Sequence, residues 1–552
     1  MRHGGKILID QLEAQGASAV FTVPGESFLA ALDGLHDSNR MKTVICRQEG
    51  GASMMAEAWA KVKGEPGICM VTRGPGAANA MAGLHIAQQD STPMIMFLGL
   101  PGEKHEDREA FQEIETKSLF GSFVKWAAVI RSTARIPEYV SRAYHTAMNG
   151  RPGPVVLGLP EDMLSSVGQA ADAKPARFAA PAPSESDAAA ITAGLSKAQR
   201  PLVIVGGPGW SRDVQKKVEA FADRFDLPVA AAFRFQDYID NRHRCYVGHA
   251  GIGLDAKLAD AIRGADLLLV IGARLGEMTT SGYTLIDIPN PQAYLIHVHP
   301  AGNELGSVYS PDLPVNATAA SFADLLGRLP TPASTPWSAH RRALRDAYEA
   351  YVKPVPTPGA VHLEEVVKTV SDMLPETGIV TNGAGNYAAF VHRYTQYKGF
   401  KSCLAPTSGS MGYGLPAAIG AKIADPTRTV INFAGDGCFM MTSQELATAV
   451  QYGLDIVTIV VNNGMYGTIR AHQERQYPER VSGTTLVNPD FAAFARSFGA
   501  HGETVLRTED FKPALERALA ARKAAIIEVK TDPEALTPRQ TLSEIRAAGK
   551  KQ

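Results

Sequence analysis

The sequence predicts an α/β protein of three doubly wound domains with mostly parallel sheets, on three observations. The chain has 552 residues, too many for one hydrophobic core and suited to about three domains. Short apolar runs alternate with helical patterns along most of its length, the mark of β-α-β units. Two stretches interrupt that alternation: Ser165 to Asp187, rich in Ala and Pro, and a linker region bracketed by the Pro-rich runs Leu329 to Pro336 and Lys353 to Gly359. They set domains at residues 1–165, 188–330 and 360–532, followed by a Lys- and Arg-bearing tail, 533–552, expected to be solvated or loosely docked.

The first domain opens with a helix pattern (Ile7, Leu8, Leu12) closed by Gly16, then a strand from Ala19 to Val23 ending at Pro24-Gly25. Val44 to Cys46 is a short strand leading to Glu49 and a helix with Met54, Ala58 and Val62 inward. Ile68 to Thr72 is a strand ending at Arg73-Gly74-Pro75-Gly76, Pro93 to Leu98 is another, and Pro154 to Gly158 closes the domain near Asp162. The central domain, Rossmann-like, offers strands at Leu202 to Val205, Leu267 to Ile271 and Tyr294 to Val298. In the third, Thr429 to Ala434 and Ile456 to Val461 read as buried strands. Between them Thr442-Ser443-Gln444-Glu445 has the form of a capping box, with Leu446 and Val450 on one helix face and Gly453 closing it. No close internal repeat is visible, and periodicity alone does not reveal whether the first and third domains share a fold.

Hydrophobic residues make up 45% and charged residues 20% of the chain, as in an ordinary globular protein. The formal net charge of -1 argues against nucleic acid or an anionic membrane as the main partner. Met1 is not followed by a charged-then-apolar leader, and no apolar run is long enough to span a bilayer. Cys46, Cys69, Cys245, Cys403 and Cys438 are scattered and form no CxxC pair, so neither a zinc site nor a disulfide framework is indicated. A cytoplasmic enzyme is expected.

The chemistry concentrates in the third domain. Gly435-Asp436-Gly437 ends one predicted strand and Asn462-Asn463 ends the next. Both clusters therefore lie at the carboxyl ends of parallel strands, where open α/β sheets bind ligands. An Asp carboxylate and an Asn carbonyl are hard oxygen donors suited to Mg²⁺ or Ca²⁺, which in turn hold phosphate. The glycines leave backbone N–H groups free to approach phosphate oxygens. By local context alone Glu49 is equally a first-turn glutamate favoured by the helix dipole, and Met411, in Gly409-Ser410-Met411-Gly412, equally a packed loop residue. Phe111-Gln112-Glu113 reads as a helix segment and Lys125 as a surface lysine.

Gly-Asp-Gly, a spacer of this length and Asn-Asn resemble the diphosphate-binding motif of thiamine diphosphate (ThDP) enzymes. With the domain order, the resemblance covers nearly the whole chain and points to the decarboxylase and carboligase branch, acetolactate synthase large subunit-like. It implies that Asp436, Asn463 and the backbone oxygen of Met465 hold Mg²⁺. Gly435, Gly437, Cys438 and Tyr466 would flank the diphosphate, and Gly385 and Asn386 would reach it from the other side. Asn462 is given no ligand role; by local context it packs against the preceding strand. Glu49 would hydrogen-bond the pyrimidine nitrogen of the cofactor, which asks for a carboxyl group in an apolar site with a raised pKa. Met411 would wedge beneath the cofactor while backbone groups of Gly409 and Met411 pair the pyrimidine edge. Ala110-Phe111-Gln112-Glu113 with Lys125, and the loop at Gly25, look like the substrate channel of acetolactate synthases. The resemblance also implies a homodimer or homotetramer with active sites at the subunit interface. Its substrates would be small 2-keto acids or aldehydes, and the reaction decarboxylation with transfer of an acyl carbanion to a carbonyl.

Three departures bear on the reaction. Thr468-Ile469-Arg470-Ala471-His472 replaces the Trp-bearing run that helps acetolactate synthases select the second keto acid. Ile469 stands where pyruvate decarboxylases place a proton-donating Glu, which favours ligation over aldehyde release. In the central domain Gly272-Ala273-Arg274 matches a flavin-contacting segment, but Leu275 to Met278 does not continue it. His297-Val298-His299-Pro300 replaces an Asp-bearing strand end, and Gly206-Gly207-Pro208-Gly209 lacks the spaced glycines of a dinucleotide fingerprint. FAD is thus not carried over with ThDP, and an ADP- or CoA-type ligand stands open beside it. A lyase of the 2-hydroxyacyl-CoA or benzaldehyde kind, and a non-catalytic ThDP-binding subunit, remain the alternatives to a carboligase.

Overall fold

The computed structural model describes residues 1–551. The chain folds into two compact units: residues 1–179, 406–427 and 439–456 form one, and 180–405, 428–438 and 457 onward form the other.

The first unit is built on six strands: β1 (Ala19–Thr22), β2 (Lys42–Ile45), β3 (Gly67–Thr72), β4 (Met94–Leu100), β5 (Trp126–Val129) and β6 (Pro154–Pro160). They pair in parallel in the order β2-β1-β3-β4-β6-β5. β4 is buried at every position, because a parallel sheet covered on both faces leaves no exposed side to alternate with. Ile7, Leu8 and Leu12 of helix Gly4–Ala14 and Ile136, Val140 and Tyr144 of helix Ile136–Met148 share one core cluster with the sheet. Against helix Glu49–Lys63 packs helix Gly414–Ala424, Met54 and Ala58 of the first meeting Tyr413 and Ala417. Glu57 is buried at this junction, where it accepts hydroxyl hydrogen bonds from Tyr413 (2.6 Å) and Thr92 (2.7 Å) and pairs with Lys61 at 3.0 Å.

The second unit holds two sheets. The central one comprises β7 (Pro201–Val205), β8 (Val229–Ala231), β9 (Tyr246–His249), β10 (Leu267–Ile271), β11 (Tyr294–His299) and β12 (Leu313–Asn316), in the order β9-β8-β7-β10-β11-β12. That is the order of the dinucleotide-binding fold, with its crevice between β7 and β10. The third sheet comprises β13 (Ile379–Asn382), β14 (Cys403–Leu404), β15 (Val430–Gly435), β16 (Ile456–Asn462), β17 (His501–Val505) and β18 (Ala525–Lys530), in the order β14-β13-β15-β16-β18-β17. Counted along the chain, the first and third sheets both run 2-1-3-4-6-5, so the two domains share a topology.

Three local expectations are corrected. Thr442 does not cap a helix through its side chain; its hydroxyl donates to the Gly412 carbonyl at 2.7 Å, and Glu445 turns to the backbone of Arg47 and Gln48. Phe111 and Gln112 lie in a turn, with Gln112 at φ 61°, and not in a helix. Of the two expectations for the tail, solvated or loosely docked, the docked one is observed and the solvated one is corrected. Helix Leu542–Gly549, opened by a capping box at Thr541 and Glu544, buries Leu542 and Ile545 against Leu536 and Ala471. Its Arg546 makes two 2.9 Å hydrogen bonds to the buried Glu474. Among the described residues no helix is long and apolar enough to cross a membrane.

Candidate active site

In the first unit, Glu49 is the first residue of its helix, capped by Gln48, whose side-chain oxygen accepts the Gly51 N–H at 3.0 Å. The Glu445 carboxylate accepts the N–H groups of Arg47 (3.1 Å) and Gln48 (2.9 Å), pinning the turn just ahead of Glu49. Burial raises the Glu445 pKa, and the hydrogen bonds from Thr448, Arg47 and Gln48 oppose that rise. Asn79 donates to Glu49 Oε2 at 2.9 Å. Glu49 is half-buried, so one amide donor and partial shelter leave its carboxyl group able to meet a further donor.

Gly25 follows β1 and lies against the end of β3. A side chain there would begin 2.2 Å from Thr72 Cβ, so only glycine permits the approach. The Gln112 carbonyl accepts the Gly74 N–H at 2.9 Å. Phe111 is 71% exposed, its ring 5.8 Å from the guanidinium of Arg73. The structure therefore brings the Gly25, Phe111 and Gln112 segments together around the end of β3. The Lys125 ammonium instead donates to the Asn149 carbonyl at 2.7 Å, and burial, aided by Arg151, lowers its pKa to about 8. The loop with Gly409 and the half-buried Met411 is held near both ends. Thr407 donates its N–H to Asp90 (2.8 Å), and the Tyr413 hydroxyl bonds Glu57.

In the second unit, the end of β15 carries Asp436, 2% exposed. Its Oδ1 accepts the Gly437 N–H at 2.8 Å; its Oδ2 accepts the Gly464 N–H at 2.9 Å and the Asn488 amide at 2.8 Å. Burial raises the Asp436 pKa against these hydrogen bonds. A divalent cation at the carboxylate would offset that penalty, so the donor set suits one. Asn463 Oδ1 accepts the Met465 N–H at 3.2 Å, which puts a second hard oxygen at the end of the neighbouring strand β16. The ring of Tyr466 covers Gly437 so closely that a side chain at Gly437 would begin 2.5 Å from it. Cys438 is buried, its sulfur accepting the Tyr387 hydroxyl at 3.5 Å. Asn462 is engaged within the chain: it accepts from the Gly464 N–H and the Asn488 amide and donates to Glu528 at 2.7 Å. Asn386 turns its amide to the Leu536 carbonyl at 3.1 Å, and Gly385 sits against the Tyr387 ring. Past Asn463, Ile469 is 54% exposed and His472 is exposed beside Arg475.

In the central sheet the Gly206 to Gly209 turn and Gly272-Ala273-Arg274 flank the β7/β10 crevice. The Trp210 indole N–H donates to the Gly206 carbonyl at 2.9 Å, and Arg274 pairs with Glu304 at 2.8 Å. His297 faces the Ala273 carbonyl at 3.0 Å, and burial lowers its pKa. His299 lies beside the Ala301 backbone, so each ring has one nitrogen directed at main chain.

Sequence reasoning missed Asn79, Asn488, Glu445 and Arg73. Asn488 precedes Pro489 in a polar loop, which marks a turn and gives no sign of a partner 52 residues back.

Comparison with known proteins matches three family profiles in order. "Thiamine pyrophosphate enzyme, N-terminal TPP binding domain" covers residues 2–119, the central domain of the same family covers 188–326, and its C-terminal TPP binding domain covers 383–529. The chain is 31% identical over 543 residues to the acetolactate synthase large subunit of Parasynechococcus marenigrum (strain WH8102), covering 95% of this chain and 87% of that protein. It is 29% identical over 540 residues to acetolactate synthase isozyme 2 large subunit of Escherichia coli (strain K12), covering 96% of each. With the mitochondrial acetolactate synthase catalytic subunit of Saccharomyces cerevisiae the identity is 28% over 557 residues, 96% of this chain and 80% of that protein.

Proposed function

Since the chain belongs to the thiamine pyrophosphate enzyme family, as a carboligase of the acetolactate synthase-like kind, we propose that it uses ThDP and Mg²⁺ to decarboxylate a 2-keto acid and join the remaining acyl unit to a carbonyl acceptor. ThDP supplies the carbon nucleophile and the electron sink; the protein supplies orientation, charge and proton control. The observation that carries the reading is the buried Asp436 carboxylate beside Asn463, a hard-oxygen pair whose burial a cation would relieve.

In this reading Asp436, Asn463 and the Met465 carbonyl hold Mg²⁺, and the Gly435 to Cys438 turn and Tyr466 flank the diphosphate. Gly385 and Asn386 border the same pocket, although Asn386 spends its amide on Leu536. Glu49 shares a proton with the pyrimidine nitrogen, oriented by Asn79 and by the turn that Glu445 fixes. Met411 would pack beneath the cofactor, and the clamps at Thr407 and Tyr413 keep that loop in place. Gly25, Phe111 and Gln112 line the substrate approach. Lys125, held at the Asn149 carbonyl, stands as a weaker member of that set. The Ile469 side chain would offer no proton to the acyl unit left after decarboxylation, which must stay nucleophilic for ligation. The reaction involves no net oxidation, so no step in it calls for a flavin. Subunits pair as a dimer or dimer of dimers to complete each site.

Incubating the protein with ThDP, Mg²⁺ and a panel of 2-keto acids and aldehydes, with products identified by mass spectrometry, tests the reading. The expected outcome is CO₂ with a 2-hydroxyketone or 2-hydroxyketo acid. CO₂ with free aldehyde alone, or cleavage of a 2-hydroxyacyl thioester, would replace it with a decarboxylase or a lyase.

A further inference from the structure

We propose that Arg73 is a specificity-determining residue, selecting substrates that carry an anionic group, a carboxylate or its equivalent, which outlasts the decarboxylation. This rests on the carboligase reading above. Arg73 follows β3 and opens helix Arg73–Asp90, with its backbone in the left-handed region at φ 42°. A non-glycine residue there is uncommon and held by its surroundings, a pattern concentrated at functional sites. The residue is 8% exposed.

Its neighbours are the segments placed around the substrate. The guanidinium lies 5.8 Å from the Phe111 ring, and one terminal nitrogen approaches the Phe111 carbonyl at 3.4 Å. Glu26, next to Gly25, pairs with that nitrogen at 3.0 Å, and Glu161 pairs with the other at 3.1 Å. Nε–H is buried without a partner among the described residues. The guanidinium is therefore incompletely satisfied by the chain itself. Its carboxylate partners sit in water: Glu26 is 66% and Glu161 39% exposed. Carboxylates this open to water can leave the guanidinium for solvent, and an incoming carboxylate that meets it fork-on gains two charge-assisted hydrogen bonds.

The topology gives a second, independent reason. Because the first and third sheets run in the same order, β3 and β15 occupy equivalent places. The third sheet ends there in Asp436, which suits a cation; the first ends in Arg73, which is one. Each strand end is thus equipped for an anion, through a metal on one side and directly on the other.

The anion cannot be the carboxylate that leaves. A guanidinium paired with it would stabilise the ground-state charge that decarboxylation must delocalise, and so slow the reaction. A carboxylate retained on the acceptor, or at the far end of the donor, keeps its charge throughout.

The test uses the ThDP- and Mg²⁺-loaded enzyme and two readouts. Succinate, an unreactive dicarboxylate, should raise the melting temperature of the wild type in a salt-sensitive way. Its Kd should rise about tenfold or more in Arg73→Met, from the loss of a hydrogen-bonded charge pair, and less in Arg73→Lys. Glu26→Gln should tighten it. In turnover, Arg73→Met should raise KM for 2-ketoglutarate as donor, or for glyoxylate as acceptor, while 2-ketovalerate or acetaldehyde is handled as before; which of the two arms responds places the anion on donor or acceptor. No succinate effect in the wild type, or equal losses for charged and neutral substrates, overturns the inference even if carboligation is found. An Arg73-dependent succinate effect in an enzyme that turns over no 2-keto acid keeps the anion site and overturns the proposed reaction instead.

Discussion

The first and third sheets share one strand order and differ in what their strand ends carry. After β15 the chain places a buried aspartate wrapped by the N–H groups of Gly437 and Gly464 and by Asn488. After β3 it places a buried arginine held by exposed glutamates. After β2 it sets Glu49 with a single amide donor, and after β14 the clamped loop with Gly409 and Met411. Equal topology therefore delivers equivalent positions, and the side chain decides whether a position suits a cation, an anion or a proton. The aspartate is rigidly satisfied, as a ligand of fixed geometry requires. Glu49 keeps spare hydrogen-bonding capacity, as a group that shares a proton requires.

That contrast can be broken at either sheet. Glu49→Gln keeps the size and the Asn79 contact but removes the shared proton. Turnover is expected to fall by about 10²–10⁴, while ThDP binding, followed by fluorescence quenching, stays close to wild type. Near-normal turnover in this variant would remove Glu49 from the chemistry. Asn488→Ala strips one donor from Asp436 and one from Asn462 without touching a proposed ligand. Loss of such outer support should weaken Mg²⁺ and ThDP binding about 10–100-fold, with kcat recovered at saturating cofactor. An unchanged cofactor titration would mean that Asp436 needs no help from this loop.

The smallest effect is expected at the C-terminal helix, an addition to the third sheet's domain. The Arg546 guanidinium, with Arg470, holds the Glu474 carboxyl down at about 2. A carboxylate whose folded pKa lies below its unfolded value, about 4.3, stabilises the fold above that pH and loses this contribution as pH falls toward 2. Arg546→Ala should cost about 1–3 kcal/mol at neutral pH, since Arg470 still pairs the buried carboxylate. Acid unfolding should begin at a higher pH than in the wild type, with kcat unchanged. Urea titrations at pH 7 and pH 3.5 check both statements; an equal loss at the two values would separate the helix contact from the ionisation of Glu474.

Much of the frame was legible beforehand. The strand Leu267–Ile271 was read at its observed bounds, and β15 and β16 within a residue or so, because buried strands and their glycine-marked ends are local patterns. Glu49 was placed at a helix start and is the first helical residue. The failures are equally specific. Thr442 and Glu445 have the spacing of a capping box, yet both side chains took partners remote in sequence, Gly412 for one and Arg47 with Gln48 for the other. The charged tail reads equally as solvated or loosely docked, because the buried carboxylate that receives Arg546 lies 72 residues away.

The sequence by itself determined the alternation of strands and helices, the family to which the chain belongs, and the strand-end motifs at Gly435-Asp436-Gly437 and Asn462-Asn463. Those are short-range properties, written in apolar periodicity and turn chemistry. Only the tertiary structure decided that the first and third sheets share one order, that Asn488 and Glu445 serve residues far away, and that Arg73 stands where the other sheet has Asp436. Strand order and hydrogen bonds across tens to hundreds of residues depend on which segments become neighbours, and no local pattern encodes that.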